Sequence, residues 1–106
     1  MILQNFFKML KKTKENENKI APVELVREVK NLFENKKFDE ALILGLEIIK
    51  KYPDTTIIHN ILGIIFFQKN TFNHSLHHFK VALELDCTNS DTYNNLGICL
   101  IEMKQY

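Results

Sequence analysis

The sequence predicts an all-α chain built as a stack of antiparallel helical hairpins. Three observations lead there. The chain repeats itself at a spacing of 34 residues, its apolar residues recur at intervals of three and four, and only 3 Gly and 2 Pro interrupt 106 residues. Helices bury one stripe of side chains, so an interval of three or four marks the buried face. A many-turned β fold would need far more of the residues that make turns. Apolar residues form 45% of the chain, which suits a packed core rather than a disordered segment.

The elements follow in order. Residues 2–13 place Ile2, Leu3, Phe6, Phe7, Met9 and Leu10 among Lys8, Lys11 and Lys12, an amphipathic basic helix. Glu15-Asn16-Glu17-Asn18-Lys19 follows as a polar linker, so residues 1–19 form a separate arm. In 22–35, Val26, Val29, Leu32 and Phe33 share a helical face. Asn35-Lys36-Lys37 is a short polar turn, which makes its flanking helices antiparallel neighbours. In 38–52, Phe38, Ala41, Leu42, Leu46 and Ile49 share a face, and Pro53 stops that helix. Asp54, Thr55 and Thr56 offer N-cap chemistry to the next. A further helix is expected over 72–86.

Shifting the chain by 34 residues lays Leu62-Gly63 on Leu96-Gly97, His59 on Tyr93, Phe66 on Leu100 and Phe72 on Phe38. Small Ser75 falls on small Ala41. The repeats abut at 22–55, 56–89 and 90–106. His59, Leu62, Gly63, Phe66, Ser75, Phe79 and Ala82 form a pattern of bulky residue, Leu-Gly, aromatic, small residue, aromatic and Ala. With this period, the pattern resembles the tetratricopeptide (TPR) family. The resemblance covers residues 22–106 and implies an α-solenoid with a right-handed superhelical twist.

Gly63 and Gly97 each cost about 1 kcal/mol in a helix interior relative to Ala, so close helix approach is expected at both. The first repeat departs from the pattern. Val29 replaces the Gly, Gly45 stands where an aromatic is usual, and Ile48 where Ala is usual. We expect large and small to have exchanged places across Gly45 and Ile48, holding core volume constant. The third repeat contains one helix, without a partner for Leu96, Leu100 and Met103. A solenoid usually closes with a polar cap, so this chain reads as the N-terminal part of a longer protein.

Composition excludes several functions. The net charge is +1, but residues 1–19 hold five lysines against two glutamates. Attraction to an anionic surface would therefore sit in the arm, and no nucleic-acid partner is expected. The basic helix admits three roles: a cap on the first hairpin, a partner-binding or self-associating helix, and a weak membrane-surface contact. No apolar run approaches the roughly 20 residues of a spanning helix, and residues 1–19 lack the basic start, continuous apolar stretch and small-residue cleavage site of a secretory signal, so none is expected there. Cys87 and Cys99 make no disulfide framework, which favours a reducing compartment and a cytoplasmic location. His74, His77 and His78 lie together on 72–86, and we read them as an exposed polar face rather than a metal site. No phosphate loop, zinc motif or nucleophile elbow occurs, so no catalytic residue, metal or cofactor is assigned.

The resemblance implies a groove lined by the first helix of each hairpin, holding a protein or peptide. By position it contains Lys30 and Phe33, then Asn60, Ile64 and Phe67, then Asp91, Asn94, Asn95 and Ile98. Val23, Val26 and Ile57 extend it. Amides suit a peptide because each can donate and accept. The alternative is that Ile64 and Phe67 simply pack against neighbouring repeats. The carboxylate clamp of some relatives would need cations and amides where Val26, Ile61 and Asp91 stand, so it is not expected. A binding scaffold is the function expected. A larger glycosyltransferase or sulfotransferase, with its catalytic domain beyond Tyr106, is the alternative. Self-association through the basic helix or the open C-terminal edge is a third possibility.

Overall fold

A computed structural model describes residues 2–12 and 19–104. Among them are six helices and no strand: α1 (Ile2–Lys12), α2 (Val23–Glu34), α3 (Phe38–Lys51), α4 (Thr56–Gln68), α5 (Phe72–Leu85) and α6 (Ser90–Met103). α2–α3 and α4–α5 are antiparallel hairpins, and α6 packs on α5 and α4. The fold is thus a TPR-like stack.

The 34-residue period extends to the backbone of the turns. Lys36 and Asn70 both take positive φ, 61° and 59°. Each follows a helix closed by the same pair of bonds. Lys37 N–H donates to Leu32 O (2.8 Å) and Lys36 N–H to Phe33 O (3.0 Å). Thr71 N–H donates to Phe66 O (2.9 Å) and Asn70 N–H to Phe67 O (3.0 Å). This is the Schellman arrangement, whose left-handed position favours Gly, then Asn. Lysine there is strained, so Lys36→Gly is expected to raise stability by about 0.5–1 kcal/mol, read as a higher urea midpoint.

Thr55 occupies the N-cap position of α4 but makes no capping bond with its side chain. Its hydroxyl donates to Tyr52 O (2.9 Å) and accepts from Ala21 N–H (2.8 Å). The expected cap is instead a buried clasp between residue 21 and the end of the first hairpin. Asn89, one period later, does cap α6, accepting from Asp91 and Thr92 N–H (3.0 and 3.2 Å).

The core runs through α2, α3 and α4, with Leu25, Val29, Ala41, Leu44, Ile48, Ile58, Leu62 and Ile65 almost wholly enclosed. α1 lies on α3, placing Leu3, Phe7 and Leu10 against this core. Lys51 of α3 donates to Leu10 O (2.6 Å) at the end of α1.

At Gly63 a Cβ would stand 2.5–2.8 Å from the Phe79 ring, so α4 and α5 touch through a missing side chain. Ser75 Oγ donates to Gly63 O (2.7 Å) beside it. Gly45 does the same for the neighbouring hairpins, with Leu62 Cδ2 at 3.0 Å from its Cβ position. Ile48 is fully enclosed. Gly97 differs from the expectation of close approach: no atom lies within 4 Å of its Cβ position. On the same side of α6, Tyr93, Leu100 and Ile101 are exposed. In the second hairpin the matching face of α4 is covered by α5.

The histidines do not form a single exposed face. His74 and His77 are exposed, whereas His78 is buried at 5% exposure. It faces His59 of α4, equally buried, with the two Nδ1 atoms 3.1 Å apart. Residue 78 falls on the α4-facing side of α5, one position before Phe79. Helical position outweighs the polarity of the side chain. Cys99 is enclosed, and Cys87 is exposed in the α5–α6 turn.

Candidate functional site

α2, α4 and α6 are the leading helices of successive hairpins, and α4 touches both others. Two hollows lie along them. One, of about 110 Å³, is walled by Ile64 and Phe67 of α4, Phe79 of α5, and Asn95 and Ile98 of α6. The other is formed by Val23, Val26, Arg27, Lys30, Asn31 and Glu34 of α2 with Ile57 of α4.

The residues assigned to a groove fall into three groups. Ile64, Phe67, Asn95 and Ile98 line the first hollow together, and Lys30 borders the second. Asp91 and Asn94 are exposed on the first two turns of α6 and line neither. Asn60 and Phe33 are engaged in packing. Asn60 Oδ1 accepts from Thr92 Oγ1 (2.8 Å), joining α4 to α6. The Phe33 ring meets Phe38 of its own hairpin edge-on, with centroids 5.6 Å apart.

Phe79 is the lining residue that sequence reasoning missed. It sits on the second helix of its hairpin, whereas the repeat pattern places groove residues on first helices alone. Its ring lies where a Cβ at residue 63 would be, so the absence of that atom lets it reach the hollow between α4 and α6. Gly63 one residue before Ile64 was the available signal.

The first hollow is apolar apart from one amide, Asn95. It can seat a bulky apolar side chain and bond one polar backbone group. The second carries two cations, Arg27 and Lys30, and one acid, Glu34. Among the described residues the ion pairs are Lys50–Glu47 and Lys69–Asp39, so neither Arg27 nor Lys30 is held in one. No group of three or more His, Cys, Asp or Glu among the described residues could hold a metal ion. No described helix is long and apolar enough to cross a membrane.

No family model and no curated protein matches the sequence. Solved structures do match in fold. One is described as the crystal structure of YrrB, a TPR protein with an unusual peptide-binding site. The similarity has a TM-score of 0.74 at 17% sequence identity and covers 97% of this chain. The chain spans half (50%) of that structure's length.

Proposed function

We propose that this TPR-like chain is a protein- or peptide-binding module whose ligand lies across α2, α4 and α6. The observation that carries the reading is the hollow walled by Ile64, Phe67, Phe79 and Ile98, with Ile98 still 44% exposed. An apolar side chain left in water on such a wall favours an apolar occupant. The ligand would place a bulky apolar residue there and an acidic residue toward Arg27 and Lys30. The peptide-binding description of the YrrB structure points the same way. Asp91 at the far end disfavours a ligand that presents a free carboxylate there.

The test is selection from a random peptide display library against the full chain, followed by fluorescence anisotropy on the selected peptide. Ile98→Asp is expected to weaken binding by about 10-fold or more, a loss of about 1.4 kcal/mol. Ile101→Asp, on an exposed residue of the same helix outside both hollows, is expected to leave affinity unchanged. Equal effects of the two substitutions, or no selected peptide, would count against the groove.

A further inference from the structure

The buried His59–His78 contact has a definite proton arrangement. His59 Nε2 lies 2.7 Å from Pro53 O, and a carbonyl can only accept, so Nε2 carries the proton. In neutral His59 the other nitrogen, Nδ1, is then a bare acceptor. His78 Nδ1, 3.1 Å away, must donate to it. The two rings are therefore opposite tautomers, locked by one backbone carbonyl. The Phe66 ring stacks on a face of His78, with centroids 5.5 Å apart and planes 6° from parallel.

We infer that the His59–His78 pair is a proton-operated joint, holding the α4–α5 hairpin closed while both rings are neutral and loosening it when acid protonates them. One proton can enter at His78 Nε2 with the hydrogen bond intact. A second must take His59 Nδ1, which turns the contact into two N–H groups face to face on like charges. Because His78 precedes Phe79, separation at the pair draws Phe79 away from Gly63 and opens the wall of the first hollow. The inference stands whether or not that hollow binds a peptide.

The surroundings oppose charge on the pair. Burial pushes His78 down from 6.5 to about 4, helped by His59, His77 and His74. Burial also lowers His59. The Pro53 carbonyl opposes this, His77 adds to it, and Asp54 opposes it. Thus the groups acting on the rings are His74 and His77 of α5 and Asp54 of the α3–α4 turn. An unfolded chain takes up these protons near pH 6.5 and the folded chain only at lower pH. The stabilisation is complete above about pH 6.5 and is lost as pH falls toward 4.

The experiment is urea unfolding of the full chain at pH 7 and pH 4, with nitrogen-15 imidazole spectra at pH 7 and pH 5. His78→Gln is the comparison, since its amide can still donate to His59 but cannot titrate. From pH 7 to pH 4 the unfolding constant is expected to rise roughly 100-fold more in the natural chain than in His78→Gln. The spectra are expected to show His59 as the Nε2–H tautomer, and His78 as the Nδ1–H tautomer and still neutral at pH 5. Equal pH dependence in the two proteins would overturn the joint. If His78→Gln does not fold, the spectra decide alone: matching tautomers, or a His78 already protonated at pH 5, would overturn it.

Discussion

Gly63→Ala is expected to lower the unfolding free energy by about 2–3 kcal/mol, while Gly97→Ala, at the same repeat position, raises it by up to about 1 kcal/mol. Both substitutions gain the same helix propensity. They differ in what the new methyl group meets. At residue 63 it would stand 2.5–2.8 Å from three atoms of the Phe79 ring, which is itself enclosed and cannot swing aside without displacing α5. At residue 97 it meets nothing within 4 Å. Paired urea titrations with matched slopes give both values. A destabilised Gly97→Ala would mean that some group covers this face in solution. A neutral Gly63→Ala would mean that α4 and α5 can part without loss. Phe79→Leu combined with Gly63→Ala should recover part of the loss, because a smaller side chain vacates the contested space.

Ile48→Ala is expected to cost about 3–4 kcal/mol, near the upper part of the range for buried aliphatic truncation. Ile48 is fully enclosed on α3. Three residues earlier Gly45 has no side chain, and its space is taken by Leu62 of the next hairpin. Removing Ile48 would leave two side-chain-poor positions on one buried face, and Leu44, the large residue one turn away on that helix, is already fully enclosed and not free to collapse inward. Ile48→Val should cost only about 1 kcal/mol, since it removes a single methyl group. If Ile48→Ala proved as mild as Ile48→Val in thermal and urea unfolding, the exchange of large and small across Gly45 and Ile48 would not describe this core.

The hairpin stack was legible because it depends on periodic signals. Apolar spacing marks the buried face of a helix whatever that face packs against. The recurrence of Leu-Gly at 62–63 and 96–97 sets the phase of the hairpins. Side-chain partners across helices are a different matter. The pattern places His59 at a bulky position and His78 among polar neighbours, and nothing in their 19-residue separation indicates that the two rings meet. The groove was half legible for the same reason. Leading-helix residues such as Ile64 and Ile98 follow from phase, but Asn60 was lost to Thr92 and Phe79 was gained from the second helix.

The sequence by itself determined that the chain is helical, that its helices pair as hairpins, and at what period they recur. These are consequences of local propensity and of which side of each helix is apolar. The tertiary structure alone decided which glycine is a contact and which is open, where Thr55 spends its hydroxyl, and that His78 is inside. Those outcomes depend on distances between helices far apart in the chain. The same Leu-Gly pair marks a tight contact at residue 63 and an open surface at residue 97, so no local pattern records which it is.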